Sequence, residues 1–211
     1  MFHVYRIQDI PDLDIFIDTF NDLARKNGFE GIYLVATGNE KNKIIRSNND
    51  ISAVVGLDSF TKMRYGSYFY FPSNHLLGRL ERSLKHRLKI LDNTPIEKRN
   101  KPIKIDYEKE INRLNAKFET SKYVPCIFPN WDNSARSGNK SLIFYNSNPK
   151  AWKLHLKDVI TNYLKHENNP PFVVIKSWNE WAEGNYIEPD AKYGRGWLEA
   201  VSKVKKELDL N

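Results

Sequence analysis

The 211-residue chain contains one cysteine, Cys126. A single thiol excludes an internal disulfide and fits a reducing compartment; within an apolar stretch it reads as a small strand residue rather than a nucleophile. No run approaches the ~20 apolar residues needed to cross a bilayer, so no transmembrane segment is expected. No basic stretch followed by an apolar segment opens the chain, so no export signal is expected either. Together these absences predict a cytoplasmic protein. A glycine-rich phosphate loop is also lacking, and His3, His75, His86, His155 and His166 fall at no metal-ligand spacing. Neither a metal nor a nucleotide cofactor is therefore expected. Internal repeats and low-complexity tracts are absent, and residues 1–211 read as one domain.

What is present suits an ordinary globular fold. Hydrophobic residues make up 40% and charged residues 28%, enough apolar surface to bury a core without demanding a membrane. The formal charge of +7, from 33 basic against 26 acidic residues, raises the question of a polyanionic partner. Its densest cluster is Arg79, Arg82, Lys85, His86, Arg87 and Lys89, continued by Lys98, Arg99, Lys101 and Lys104. Leu76, Leu77, Leu80, Leu84 and Leu88 form an apolar stripe at helical spacing through that cluster, so its cations read as the solvated face of a helix. Aromatic residues that would stack single-stranded bases are not interleaved there. No nucleic-acid partner is expected.

Strand-like and helix-like patterns alternate along the chain. Residues 2–7 read as a strand, and Leu13, Phe16, Ile17, Phe20, Leu23 and Ala24 then give a helical stripe stopped at Asn27-Gly28. Residues 31–37 supply the next strand, completing one βαβ unit with its right-handed crossover. A short strand over 52–55, an aromatic stretch over 65–71 and the basic helix over 75–91 follow. Residues 93–104 read as a polar connector. Asp106 caps a helix carrying Tyr107, Ile111, Leu114 and Phe118, and a strand follows over 123–128. Asn148-Pro149 opens a helix, with proline at its first position. Residues 172–177 form the last strand, and Trp197, Ala200, Val201, Val204 and Leu208 mark a terminal helix.

The chemistry concentrates in Ser177-Trp178-Asn179-Glu180-Trp181-Ala182-Glu183-Gly184-Asn185-Tyr186-Ile187-Glu188-Pro189, just after the apolar stretch Phe172-Val173-Val174-Ile175. Acids past the end of a buried strand are where a parallel α/β barrel keeps its chemistry. Paired carboxyls beside flat aromatic faces are what a sugar-cleaving or sugar-transferring site needs: one protonates an oxygen, the other handles the developing charge or a proton. Trp178, Trp181 and Tyr186 offer rings to stack on a pyranose. Glu180 and Glu183 would face opposite ways on a continuing strand, so joint action requires the chain to coil and place i and i+3 side by side. Asn179 orients a carboxylate or hydroxyl, and Glu188 either binds a sugar hydroxyl or braces the loop. Trp131, Asp132 and Arg136 follow the 123–128 strand and should reach the same edge. Trp131 serves as a stacking wall, while Arg136 either contacts a phosphate or acidic sugar or pairs with Asp132. Tyr5 and Arg6 end the first strand and are candidates to line the same site.

Asn179-Glu180-Trp181-Ala182-Glu183-Gly184, with Glu188-Pro189-Asp190 and Tyr193-Gly194, resembles the glycoside hydrolase family 99-like proteins, the WbsX-type glycosyltransferases of bacterial surface-polysaccharide clusters. Pro125-Cys126-Ile127-Phe128-Pro129-Asn130-Trp131-Asp132-Asn133-Ser134-Ala135-Arg136 is similar to a second block of that family. Phe2-His3-Val4-Tyr5-Arg6, followed by Ile10-Pro11-Asp12, is similar to one of its mid-barrel strands. The resemblance implies a (β/α) TIM-type barrel and a retaining mechanism. In it Glu180 deprotonates the sugar's own 2-hydroxyl, which attacks the anomeric carbon, while Glu183 protonates the departing oxygen and later activates the acceptor. A glycosidic bond of lipopolysaccharide O-antigen or capsule is the implied substrate, with hydrolase and transferase both open. A complete eight-unit barrel needs about 250 residues, so 211 residues opening within a strand predict an incomplete barrel without its N-terminal strands. Such a chain is expected to be catalytically poor alone, and to self-associate or take a partner half. The alternative is a non-catalytic remnant or carbohydrate-binding module of the same fold.

Overall fold

The computed structural model describes residues 1–38, 50–56, 100–114 and 123–210. The expected aromatic stretch over 65–71 and the basic helix over 75–91 lie outside them. The described residues fall into two compact units: 1–38, 50–56, 123–127 and 160–174 in the first, and 100–114, 128–159 and 175–210 in the second.

The first unit is built on parallel strands. β1 (Phe2–Val4), β2 (Leu34–Gly38), β3 (Ala53–Gly56) and β5 (Tyr123–Ile127) pair side by side, with Phe2 opposite Leu34, Val35 opposite Ala53 and Val54 opposite Tyr123. β7 (Val174–Ile175) extends this sheet beyond β5. Period-2 alternation divides the buried residues between two faces. Leu34, Ala36 and Val54 pack with Ile7, Ile51 and Ile17 of helix α1 (Leu13–Lys26), whereas Val35, Ala53, Val55, Val124 and Cys126 form the opposite face. Burial on both faces is why these strands read as unbroken apolar runs. The thiol of Cys126 accordingly sits in the sheet core.

α1 ends as its sequence predicts. Gly28 takes φ +84°, and Phe29 N–H and Gly28 N–H donate to the carbonyls of Ala24 and Arg25 at 3.0 Å each, a Schellman closure. Two strands are shorter than their apolar patterns. β1 stops at Val4 because Ile7–Asp9 winds into a 3₁₀ turn, with Arg6 paired to Asp9 at 2.8 Å. β7 is confined to Val174–Ile175, between the Pro170-Pro171 pair and the polar Lys176-Ser177.

The second unit contains a parallel pair that the sequence reading did not anticipate. β4 (Ile103–Asp106) lies beside β6 (Leu142–Tyr145), with Ile103 opposite Leu142. Helix α2 (Tyr107–Leu114) follows β4 directly. Asp106 Oδ1 accepts from Lys109 N–H at 3.4 Å, the expected cap. A single turn, α3 (Ser134–Ser137), precedes β6. α4 (Pro149–Leu164) starts where Asn148 Oδ1 accepts from Ala151 N–H at 3.0 Å. The short strands β8 (Asn179–Glu180) and β9 (Asn185–Tyr186) form an antiparallel hairpin, and α5 (Gly196–Glu207) closes the unit. Tyr107, Ile111, Phe128, Trp131, Leu142, Phe144 and Ala151 make its core.

One polar group in this unit is deeply buried. The Tyr107 hydroxyl donates to the Phe128 carbonyl at 2.8 Å and lies 2.9 Å from His155 Nδ1. A carbonyl only accepts, so the hydroxyl proton goes there and Nδ1–H must donate to the hydroxyl oxygen. His155 is therefore the neutral Nδ1–H tautomer. Its Nε2 is a buried acceptor with no hydrogen-bond partner among the described residues. Burial holds the imidazole down at about 4, against an ordinary 6.5, and pushes the Tyr107 hydroxyl well up.

Candidate active site

The acid-rich segment makes one tight turn between two short strands. After β7 the chain runs through Lys176 and Ser177, whose peptide is cis, into β8. It then winds one 3₁₀ turn over Trp181–Glu183 and returns along β9. Glu180, at the end of β8, directly precedes this turn and Glu183 ends it. Gly184 makes the reversal at φ +53° and lies against Asp132, where an added Cβ would sit 2.6 Å from the Asp132 carbonyl oxygen. Asp132 N–H in turn donates to the Glu183 carbonyl at 2.9 Å. The second sequence block is therefore stitched to the first through backbone.

Asparagines complete that stitching. Asn130 brackets Tyr186, its Oδ1 accepting from Tyr186 N–H at 2.9 Å and its Nδ2 donating to the Tyr186 carbonyl at 3.1 Å. Asn185 is fully buried; its Nδ2 donates to the carbonyls of Asn130 (2.9 Å) and Lys176 (3.0 Å). Ser177 Oγ donates to the Asn185 carbonyl at 2.7 Å and accepts from Glu180 N–H at 3.3 Å. These bonds satisfy backbone groups that the short β8–β9 pairing leaves over.

The two acids differ in their surroundings. Glu180 is exposed. The Glu183 side chain is 22% exposed and meets a cation at each oxygen: Arg136 Nη1 at 3.4 Å from Oε1 and Lys176 Nζ at 3.3 Å from Oε2. Arg136 thus pairs with Glu183, while Asp132 Oδ1 accepts from Ser134 N–H at 2.9 Å, an Asx turn leading into α3.

The aromatic residues separate into two groups. Trp131 is 4% exposed and belongs to the core, with Lys176 Nζ 4.5 Å from its ring centroid. Trp178 and Trp181 are 54% and 48% exposed. Trp181 stacks on Tyr186 with centroids 3.7 Å apart and planes 19° apart, and its Nε1–H donates to Glu188 Oε2 at 2.7 Å. Glu188 therefore braces the loop. Tyr186 is fixed from behind by Asp190, beside which its hydroxyl is pushed upward, first by burial and then by that carboxylate. Burial works against ionisation of Asp190, but donors from Tyr193 N–H, Trp197 Nε1–H and Lys192 N–H outweigh it and hold the carboxyl below its ordinary range. The outcome is an indole with one face covered, its edge anchored and the other face toward solvent. Asn179 is exposed opposite Tyr186 in the hairpin. Tyr5 is exposed and Arg6 is paired to Asp9, both in the first unit.

Sequence reasoning had passed over Lys176, Asn130 and Asn185. Lys176 had one usable signal: it is the first charged residue after an apolar strand and directly precedes the acid-rich segment.

Parallel β-strands with intervening helices, and a coiled loop bearing two glutamates beside exposed indoles, define a mixed α/β protein with a carboxylate–indole site. The family model "Glycosyltransferase WbsX" matches residues 1–201, and the chain belongs to that family. It is 36% identical over 81 residues to the uncharacterized protein WxcX of Xanthomonas campestris pv. campestris, in strains B100 and ATCC 33913. That match covers 38% of this chain and 12% of the length of those curated relatives. A solved structure described as a glycoside hydrolase-like protein superimposes with a TM-score of 0.49 at 17% identity, over 97% of this chain and 53% of that one. Among the described residues, no helix is long and apolar enough to cross a membrane, and no cluster of His, Cys, Asp or Glu has metal-binding geometry.

Proposed function

We propose that this chain carries the acid pair of a carbohydrate-active site of (β/α)-barrel type, acting on a glycosidic bond of a bacterial surface polysaccharide in the cytoplasm. The observation that carries the reading is the single 3₁₀ turn joining Glu180 to Glu183, with the anchored Trp181 between them. A pyranose stacked on the free face of Trp181 would lie beside both carboxyls. Glu180, exposed, takes the proton from the sugar's 2-hydroxyl, and that oxygen attacks the anomeric carbon as the glycosidic bond breaks. Glu183 delivers a proton to the departing oxygen. The same carboxylate then removes a proton from the acceptor, water or a sugar hydroxyl, which opens the 1,2-anhydro intermediate. O2 recovers its proton from Glu180, so both acids return to their starting states and the anomeric configuration is retained.

The test is turnover of surface oligosaccharides by the complete protein and by its Glu180→Gln and Glu183→Gln variants. Glutamine keeps the size of glutamate but exchanges no proton. Each variant should lose turnover by orders of magnitude while keeping stability within about 1 kcal/mol. Near-normal turnover by either would remove that residue from the mechanism. Undiminished sugar binding with no turnover by the wild type would make the site a binding module.

A further inference from the structure

We propose that Lys176 is a positioning residue that anchors one oxygen of Glu183 and leaves the other to handle the proton; the inference rests on the acid–base role given above to Glu183. Three partners fix the ammonium. Nζ lies 3.3 Å from Glu183 Oε2 and 3.4 Å from Asn185 Oδ1, and stands over the Trp131 ring at 4.5 Å. Two of those partners cannot move independently. Trp131 is held in the core, and Asn185 is fully buried with its Nδ2 bonded to two carbonyls, one of them that of Lys176 itself. The lysine is therefore tied at its backbone and at its tip to the same asparagine. Its side chain is 31% exposed.

The cation at the other oxygen is held differently. The Arg136 side chain is 64% exposed and stands 3.4 Å from Oε1, a solvent-screened contact that contributes little to order. The asymmetry assigns the two oxygens. Oε2 is bound by a cation braced on an aromatic face and a buried amide. Oε1 faces an exposed guanidinium that an arriving hydroxyl can displace. A carboxylate working as acid and then as base needs one oxygen in a constant place, and a misplacement near 1 Å is enough to cost about 10²-fold in rate. Lys176 supplies the constraint that the tight turn alone does not, since a glutamate side chain has three rotatable bonds beyond that turn.

Lys176→Met keeps an unbranched stem of similar length without the charge, and Lys176→Arg restores a cation. In the complete protein, Lys176→Met should lower kcat by about 10–100-fold with little change in KM, and Lys176→Arg should recover most of the loss. Crystal structures supply a readout that needs no turnover: in Lys176→Met the Glu183 carboxylate should leave the place it takes in the wild type, 3.3 Å from Lys176 Nζ, while the 3₁₀ turn is unchanged. A loss confined to KM would make Lys176 a substrate contact and overturn the proposal. So would a Glu183 side chain in Lys176→Met that keeps its wild-type position. An inactive wild type would refute the acid–base reading; the Glu183 position in the variant would still decide whether Lys176 holds the carboxylate.

Discussion

The buried imidazole of His155 gives the protein a stability that depends on pH above the range where carboxylates act. In the folded chain its neutral Nδ1–H tautomer donates to the Tyr107 hydroxyl, and Nε2 is buried with no hydrogen-bond partner among the described residues. Adding a proton at Nε2 would bury a charge, so the folded state resists protonation down to about 4, against 6.5 for a solvated imidazole. The folded value is the lower one, so the unfolded chain binds the proton first. Stability from this group is complete above pH 6.5 and is lost as pH falls from 6.5 to 4. The difference of about 2.5 units between those values corresponds to roughly 3 kcal/mol, at ~1.4 kcal/mol per unit. That is a large share of the ~5–15 kcal/mol by which domains of this size are stable.

Urea unfolding of wild type and His155→Phe, each at pH 7 and pH 4.5, isolates the effect. Phenylalanine fills a similar volume and leaves the Tyr107–Phe128 bond in place, but has nothing to titrate. Wild type should lose about 2–3 kcal/mol more than the variant between the two pH values. Carboxylates with depressed values, such as Asp190 and Glu207, act in both proteins and cancel. Parallel loss of stability in the two proteins would refute the argument, because it would mean that His155 is solvated or paired at Nε2 when folded.

Two further perturbations test the packing around the site and the acid limb. Gly184→Ala requires a left-handed backbone at φ +53° and a methyl 2.6 Å from the Asp132 carbonyl oxygen; it should destabilise by more than about 2 kcal/mol, and wild-type stability in thermal or urea unfolding would contradict the close approach. Glu207 is held down at about 2, from an ordinary 4.5, first by Lys153 and then by Lys157. Its contribution is complete above pH 4.5 and lost as pH falls from 4.5 to 2, so Glu207→Gln should flatten the stability curve in that window at low salt. An unaltered curve would show that the pair is too well screened to matter.

Where a local rule coincides with the tertiary environment, the fold was legible in the sequence. The βαβ unit is an instance. Leu34, Ala36 and Val54 turn toward α1, and the intervening Val35, Ala53 and Val55 turn to the opposite face, so burial on both sides left plain apolar runs. The caps at Asp106 and Asn148 and the stop at Gly28 rest on short-range hydrogen bonds that the sequence specifies directly. β4 was hidden because Ile103-Lys104-Ile105-Asp106 alternates apolar and charged residues at the end of a polar connector. Only its pairing with β6, nearly forty positions later, makes it a strand. Loop-closing partners at that separation leave no local trace.

At the site, residue types were easier to read than their orientations. The acid pair, Trp178, Trp181 and Tyr186 are set on one hairpin by a short turn, and their clustering in sequence becomes clustering in space. Trp131 illustrates the limit. A tryptophan just past a strand fits a stacking wall and a core plug equally well, and the choice depends on what lies beside it, here Phe128, Leu142 and Phe144. Arg136 had two possible anions within reach of the chain, Asp132 and a ligand group. It takes a third, Glu183, while Asp132 accepts from Ser134 N–H. Lys176 is the clearest case. Nothing in its neighbours requires a cation, yet Glu183, Asn185 and Trp131, more than fifty positions apart at the extremes, converge on its ammonium. Its place before the acid-rich segment hints at a charge there, but the convergence of Trp131 with Glu183 and Asn185 on one ammonium leaves no mark in spacing or composition.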